Sequence, residues 1–125
     1  DNYSTSKALH PFIFGEGIEI LEGVLFYYKG KTLLAQKRYA EAREALQAAH
    51  ATAASLGMRV LLLHILPMLS DVEAKQGNQE ASAALLQELR EVVSYIDEHT
   101  QRPDVREYFL KMPIVQRVVK DHSKS

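Results

Sequence analysis

The sequence predicts an all-α protein built from antiparallel helical hairpins, and three observations support this. Apolar residues recur every three and four positions over most of the chain, which is the period of an amphipathic helix. Small residues, Gly30, Ala42 and Ala49, occupy positions where one helix backbone would approach another. Between them, residues 37–39 interrupt the helical pattern for long enough to make a tight reversal.

Composition limits the classes of protein to consider. Apolar residues make up 46% of the 125 residues and charged residues 25%, which is typical of a globular domain and not of a disordered chain. The formal net charge of -1 gives no electrostatic attraction to nucleic acid or acidic lipid. The absence of cysteine excludes disulfides and thiolate chemistry and is typical of a cytoplasmic protein. The longest apolar run, 60–69, is too short to span a membrane.

The helices are predicted in chain order. Residues 1–15 form a lead-in segment, whose apolar part reads equally as a helix tail or as extended chain. The first helix begins at Glu16 and continues through Leu34. The second covers 39–56 and ends at Gly57, a residue suited to a left-handed helix terminus. We expect Gly30→Leu to clash near Ala42 or Ala49, and Gly30→Ala to be slightly stabilising.

The second half of the chain repeats this plan. A third helix is predicted over 58–76, kinked by Pro67, and a fourth over 79–99. Pro103 suits a first helical position, and two short helices, 104–112 and 113–121, follow it. The predicted domains are therefore the lead-in 1–15, two hairpins over 16–100, and capping helices with a polar tail over 101–125. No signal peptide is visible, and we expect the chain to be a piece of a longer protein.

Adding 40 to each residue number maps the first hairpin onto the second, and we call this shift the repeat offset. It places Gly30 on Ser70, Ala42 on Ser82, Lys37 on Gly77 and Ala49 on Leu89. A shift of 39 also satisfies the turn, so the register stays open by one position. We prefer 40 because this shift places the only polar stripe of the third helix on the side that faces the groove described below. The stripe consists of His64, Pro67, Asp71 and Lys75.

This spacing resembles the tetratricopeptide repeat (TPR), in which Gly30, Ala42 and Ala49 would match the eighth, twentieth and twenty-seventh positions. The resemblance implies two hairpins stacked as a short right-handed superhelical solenoid, closed by the capping helices. Two features depart from the family. The period exceeds its usual length of about 34 residues, and Lys29 and Leu33 replace its usual Leu and Tyr.

Longer periods resemble the repeats of bacterial maltose-activator-type ATP-dependent transcriptional regulators, and the repeat tails of some bacterial adenylyl cyclases. The stretch 104–118 is similar to the closing segment of many bacterial helical-repeat regulators, through Val105, Arg106, Phe109, Leu110, Pro113 and Val115. These resemblances imply the C-terminal part of a larger transcriptional or signalling regulator.

The family's groove positions define a candidate interaction surface, which we call the groove set. Its members are Val24, Tyr27, Lys31, Leu34 and Ala35 on the first helix, and His64, Pro67, Asp71, Ala74 and Lys75 on the third. One interpretation is a concave surface that holds a peptide or another part of the parent protein. The other is a face that is solvated or covered by neighbouring repeats. The Asn residues that clamp a C-terminal carboxylate in chaperone-binding relatives are missing, so we reject that function.

The sequence contains no recognisable catalytic, cofactor-binding or metal-binding pattern. Its five histidines lack a metal-ligand spacing such as HExxH. His50 and His64 are the pair that the hairpin junction could bring together, and we expect them to be surface histidines. Residues 15–17 lack the later glycine of a phosphate-binding loop. We therefore expect no enzyme, no metal and no cofactor.

The predicted function is a non-catalytic scaffold for protein–protein or interdomain interaction in the cytoplasm, with homo-oligomerisation left open. Its partners would be a protein, a peptide or other domains of the parent chain, with no nucleic acid bound through this segment and no membrane. The alternative is an effector-sensing domain that binds a small molecule inside the helical-repeat superhelix. A closed, apolar-lined pocket with convergent polar groups would favour this alternative over an open groove.

Overall fold

The protein is all-helical throughout the part that the structure describes. The computed structural model describes the backbone of residues 16–124 and the side chains of residues 17–120, and this part contains no strand. Its six helices are α1 (Glu16–Ala35), α2 (Tyr39–Leu56), α3 (Arg59–Lys75), α4 (Gln79–His99), α5 (Pro103–Lys111) and α6 (Pro113–Lys124). The all-α prediction is confirmed. The lead-in segment lies outside the described residues.

The helix boundaries agree closely with the expectation from sequence. Helices α2 and α4 have the predicted limits, and α3 is shorter than predicted by one residue at each end. Helix α5 begins at Pro103, as expected of a proline at a first helical position. Helix α6 extends three residues beyond its predicted end at Asp121.

The chain divides into two compact units between Met58 and Arg59. In the first unit, α1 packs along α2. In the second unit, α3 packs along α4, while the short helices α5 and α6 contact α4 and each other. Phe109, Val115 and Val118 are the buried side chains that anchor these short helices.

Helices α1 and α2 approach closely at Gly30. A Cβ atom built on Gly30 would lie 2.6 Å from both Cγ and Cδ2 of Leu46, and 3.4 Å from the Leu46 backbone nitrogen. Leu46 is fully buried, so its side chain fills the space that a residue larger than glycine would need at position 30. The predicted close contact is present, but its partner is Leu46 and not Ala42 or Ala49. These alanines are buried, and the first-hairpin core, Leu33, Ala42 and Ala45, lies nearby.

The matching position in the second unit is polar and buried. The Ser70 hydroxyl donates a hydrogen bond to the Ser82 carbonyl oxygen at 3.1 Å, and the two Oγ atoms lie 2.7 Å apart. The repeat offset relates these serines to Gly30 and Ala42. Small side chains therefore permit the close approach in both hairpins, and in the second a buried hydrogen-bonded pair joins the helices.

The three turns that connect α1 to α4 share one backbone conformation. Each contains one residue with positive φ, namely Lys37 at 61°, Gly57 at 67° and Gly77 at 84°. The N–H of that residue bonds to a carbonyl three residues back, and the following N–H bonds to one five residues back. This is the Schellman motif, which normally uses glycine at the left-handed position. Lys37 adopts that conformation at a steric cost.

The first and third of these turns match residue for residue at the repeat offset. Helices α1 and α3 end at Ala35 and Lys75, and α2 and α4 begin at equivalent positions after the turns. The residues before α2 and α4 have nearly the same φ and ψ, -91° and 73° at Arg38 and -93° and 70° at Asn78. Their turn hydrogen bonds also correspond. The shift that relates the hairpins is therefore 40 and not 39.

The close approach at Gly30 makes a prediction that differs from the expectation from sequence. Gly30→Ala should lower the free energy of unfolding by about 1–3 kcal/mol, because the new Cβ overlaps the buried side chain of Leu46, which must shift within the core. The control is Gly17→Ala on the same helix, where a Cβ would meet nothing within 4 Å. That change should be neutral or stabilise by up to about 1 kcal/mol. Urea unfolding measures both, and equal effects at the two glycines would contradict the contact.

The turns supply a second prediction. Lys37→Gly should stabilise the protein by about 1 kcal/mol, because glycine adopts the left-handed conformation without steric cost. Gly77→Lys should destabilise it by a similar amount. A Cβ on Gly77 has no neighbour within 4 Å, so the effect would come from the backbone alone. Chemical denaturation of both variants tests the pair, and a destabilising Lys37→Gly would show that the lysine side chain has another role.

Candidate functional site

The part of the groove set on α1 is half-open to solvent. Lys31 is exposed, while Val24 and Tyr27 are half-buried. The Tyr27 ring packs against Tyr28, with centroids 5.3 Å apart and planes tilted by 58°. Leu34 is half-buried and packs against the first-hairpin core. Tyr27 and Lys31, one helical turn apart, thus combine an aromatic surface with a cation.

The part of the groove set on α3 carries both charges. His64, Asp71 and Lys75 are exposed, and Pro67 is half-buried in the middle of the continuous helix. These residues follow the helical period, so they lie along one side of α3. The opposite side of the helix is apolar apart from Ser70 and Glu73, which is only 3% exposed. Sequence inspection did not identify this buried carboxylate.

The two parts of the groove set occupy equivalent places on their helices. At the repeat offset, His64 takes the position of Val24, Pro67 that of Tyr27, and Asp71 that of Lys31. The structure groups the residues of each part on one helix of its own unit. Each part is a surface by itself, and the two differ in chemistry at each of these equivalent positions.

A cleft between α4 and α6 is a feature that sequence inspection missed. It has a volume of about 500 Å³ and is open to solvent. Its walls carry the guanidinium of Arg90 and the exposed carboxylates of Glu91 and Glu98, and its apolar lining comes from Tyr95 and three valines, Val93, Val118 and Val119. These residues belong to helices separated by α5, so their meeting depends on how the short helices fold back onto α4.

A stack of three side chains covers the beginning of α3 and the end of α4. The Arg59 guanidinium carbon lies 3.6 Å from the centroid of the Tyr95 ring. The His99 ring lies 3.8 Å from the same centroid and nearly parallel to it. Two groups so close to one centroid must occupy opposite faces, so Tyr95 is held between the cation and the imidazole. His99 also has its Nδ1 atom 2.7 Å from the Tyr95 carbonyl oxygen.

An ion pair joins α4 to α5. Arg106 donates two hydrogen bonds to the Asp97 carboxylate, at 2.7 and 3.2 Å. The hydrogen bond from Arg106 holds the pKa of Asp97 below its ordinary value, and the same contact raises the pKa of Arg106. The pair is open to solvent, so it orients the short helix more than it stabilises the fold.

The described residues show no arrangement that would mark a metal centre. Among them, no group of three or more His, Asp or Glu side chains is placed to hold a metal ion. Every buried side-chain nitrogen or oxygen in this part of the chain has a hydrogen-bond partner. The candidate surfaces therefore offer aromatic rings, exposed charges and shape.

Comparison of the chain with protein-family models, with curated proteins and with solved structures gives no match. Within the described part of the chain, every helix is too short or too polar to cross a lipid bilayer.

The Asp97–Arg106 pair predicts a pH dependence. Because folding lowers the pKa of Asp97 below its unfolded value of 3.8, the pair's stabilisation is present above that pH and is lost as pH falls through the lower folded value. At pH 6 the melting temperature of the Asp97→Asn protein should therefore be slightly lower than that of wild type. This difference in melting temperature should shrink below pH 4. Glu98→Gln, a neighbouring exposed carboxylate, is the control. A wild-type advantage over Asp97→Asn that is the same at pH 6 and pH 3 would contradict the pairing.

Proposed function

We propose that this protein is a non-catalytic scaffold, a short tandem of TPR-like helical repeats that binds a protein or peptide segment. The observation that carries the proposal is the correspondence of the two hairpins at the repeat offset. The helix ends that flank the turn within each hairpin, the turn torsions and the turn hydrogen bonds all recur at that shift. Repeats of this kind cannot bury a hydrophobic face alone and gain stability by stacking on neighbours. We infer that the hairpins stack as a right-handed solenoid fragment, with α5 and α6 as its cap.

The groove set is the proposed binding surface. Parallel stacking of the hairpins would bring α1 and α3 side by side, with Tyr27 beside Pro67 and Lys31 beside Asp71. Such a surface has an aromatic anchor and charges of both signs. It suits an extended or helical segment of mixed polarity from a partner protein or from other domains of the parent chain. Aromatic anchors in such surfaces usually dominate the binding energy, while exposed charges mainly tune association rate.

The proposed setting is a larger bacterial transcriptional or signalling regulator located in the cytoplasm. This follows from the sequence resemblance to maltose-activator-type regulators and adenylyl cyclase tails. The resemblance of residues 104–118 to the closing segments of helical-repeat regulators supports the same setting. In such a protein the groove would hold another domain and transmit its state, without a cofactor.

The second candidate function is effector sensing, and the cleft between α4 and α6 is the observation that favours it. Its volume of about 500 Å³ falls within the range of about 300–1,000 Å³ that is usual for small-molecule sites. Such sites normally enclose most of their ligand. This cleft is open, and exposed carboxylates form part of its wall. The scaffold is therefore the better-supported function.

A binding experiment tests the groove. Peptides selected from a random display library on the wild-type protein would be titrated by calorimetry against variants. Tyr27→Ala should weaken binding by at least about fivefold, since a central aromatic anchor contributes more than about 1 kcal/mol. The matched control is Tyr108→Ala on α5, which removes a tyrosine that is 79% exposed and lies outside the groove set.

Two further variants sharpen this result. Lys31→Ala should change the salt dependence of binding more than its strength. The outer pair Glu41→Ala and Glu44→Ala should have no effect beyond loss of the exposed Arg38–Glu41 ion pair. If Tyr108→Ala or the outer pair weakens peptide binding and Tyr27→Ala does not, the binding surface lies outside the groove set. Peptides whose binding depends instead on Glu91 and Glu98 would place it in the cleft between α4 and α6.

A further inference from the structure

The turn between α1 and α2 lies in a basic segment, and the equivalent turn of the second hairpin lies in an acidic one. Residues 29–44 contain five Lys or Arg residues and two Glu. Residues 69–84, at the repeat offset, contain one Lys and three carboxylates. The helix ends and turn hydrogen bonds of the two segments correspond, so the difference in charge comes from the side chains alone.

Lys37 lies at the centre of the basic segment and has an unfavourable backbone conformation. Its φ of 61° occupies the left-handed position of the turn, where the other two turns have Gly57 and Gly77. No other residue except glycine has a positive φ in the described part of the chain. Glycine would adopt this conformation without steric cost. Lysine is therefore a locally unfavourable choice at position 37.

Within the described residues, no contact of the Lys37 side chain offsets that cost. The side chain is exposed, and none of these residues forms an ion pair with it. The neighbouring cation, Arg38, is engaged with Glu41 at 2.6 Å. Left-handed conformations of residues other than glycine concentrate at binding and switch sites. The ammonium group of Lys37 is thus available to a partner.

Lys37 also lies where the groove set on α1 ends. Its N–H donates a hydrogen bond to the Leu34 carbonyl oxygen at 2.9 Å, and Leu34 and Ala35 are the last members of the groove set on that helix. One turn before Ala35 is Lys31, which is exposed and has no ion pair among the described residues. A segment that follows the groove set from Tyr27 to the turn would therefore pass an aromatic ring first and the two lysines afterwards.

We propose that Lys37, together with Lys31, binds acidic side chains of the segment held by the groove set. The inference rests on the proposed function and adds the charge and the direction of the bound segment. An apolar residue of the segment would lie on Tyr27, and its Asp or Glu residues would lie towards the turn. Parallel stacking of the hairpins would place Asp71 beside Lys31 but Gly77 beside Lys37. Lys37 would therefore keep its charge for the partner's carboxylate, in a charge-assisted hydrogen bond.

A protein segment fits this site better than a nucleic acid strand. Affinity for nucleic acid grows with the number of phosphates that a protein neutralises. Other cations of the basic segment lie close to carboxylates, because Arg38 pairs with Glu41, and Lys29 lines a hollow together with Glu41 and Glu44. Two lysines without ion pairs match one or two carboxylates of a peptide better than a run of phosphates.

Two defined peptides test the site by nuclear magnetic resonance titration of the isotope-labelled protein, which measures weak binding. One peptide has a phenylalanine followed by four glutamates, and the matched peptide has four glutamines instead. The glutamate peptide should bind at least about threefold more tightly, and added salt should reduce this difference by screening the exposed charges. Lys37→Gly should weaken binding of the glutamate peptide by about two- to fivefold, as expected for one exposed ion pair.

Substitutions at position 37 separate binding from stability. Lys37→Gly should raise the melting temperature while it weakens binding, so the loss of affinity would not come from unfolding. Lys37→Arg keeps both the charge and the steric cost, and it should bind like wild type. Gly77→Lys places a lysine in the equivalent turn of the second hairpin, and Lys120→Ala removes an exposed charge on α6. Neither of these controls should change the affinity for the glutamate peptide.

Three results would overturn the proposal. One is equal affinity for the glutamate and glutamine peptides. Another is a loss from Lys37→Gly no larger than that from Lys120→Ala. The third is a single-stranded oligonucleotide that binds more tightly than the glutamate peptide and depends on Lys37, since nucleic acid would then be the partner.

Tyr27→Ala distinguishes failure of this proposal from failure of the proposed function. It should weaken the binding of both peptides equally, because it removes the aromatic ring that would contact the phenylalanine they share. Two peptides that both depend on Tyr27 but bind equally well would leave the groove in place and overturn the basic site. A glutamate peptide that depends on Lys37 and not on Tyr27 would support the basic site and count against the groove.

Discussion

The close approach of two helices within each hairpin is the constraint on which the rest of the structure depends. In the first hairpin, Gly30 leaves just enough space for the buried side chain of Leu46, with 2.6 Å between the Leu46 Cγ and a hypothetical Cβ. In the second, the Ser70 and Ser82 hydroxyl oxygens meet at 2.7 Å. A larger residue at either place would push the helices apart. The two Schellman turns within the hairpins would then no longer close over the same helix ends.

This constraint explains why the protein repeats its backbone without repeating its side chains. Equivalent positions need only a small side chain at the helix contact and a left-handed backbone conformation at the turn. Lys37 and Gly77 satisfy the second requirement with very different steric costs. Elsewhere the hairpins diverge freely, as at Tyr27 and Pro67. The frame of each hairpin is therefore constrained, while its exposed side chains are free to differ.

Much of the fold could be predicted from sequence because its signals are local. Gly57 and Gly77 end their helices by their own conformational preference, and Pro103 begins one. The partner of Gly30 could not be predicted, because a small residue indicates a close approach without indicating which side chain fills the space. As a result, the expectation that Gly30→Ala would be slightly stabilising was wrong in its physical premise, which was that a Cβ at position 30 meets no neighbouring side chain. A hypothetical Cβ at that position overlaps Leu46.

The candidate surfaces also combine features that have a local sequence signal with features that depend on the folded chain. The groove set came from the resemblance to the family's groove positions, and the structure places its members along single faces of α1 and α3. The stack of Arg59, Tyr95 and His99 depends on how α3 and α4 pack, which no spacing along the chain reveals. Within this stack, only the contact between Tyr95 and His99 had a local sequence signal, because these residues are four apart on one helix. The difference in burial between Leu25 and Ile65 likewise needs the folded chain, since both are aliphatic residues at equivalent positions.

The most direct test of the central claim is a double-mutant cycle between Gly30→Ala and Leu46→Ala, measured as free energies of unfolding in urea. Leu46→Ala removes the two carbon atoms that a new Cβ would overlap and leaves its backbone nitrogen at an acceptable 3.4 Å. If this contact sets the helix spacing, Gly30→Ala is destabilising in wild type but neutral or stabilising in Leu46→Ala, with a coupling energy of at least about 1 kcal/mol. Additive effects of the two substitutions would contradict the claim that this contact sets the helix spacing.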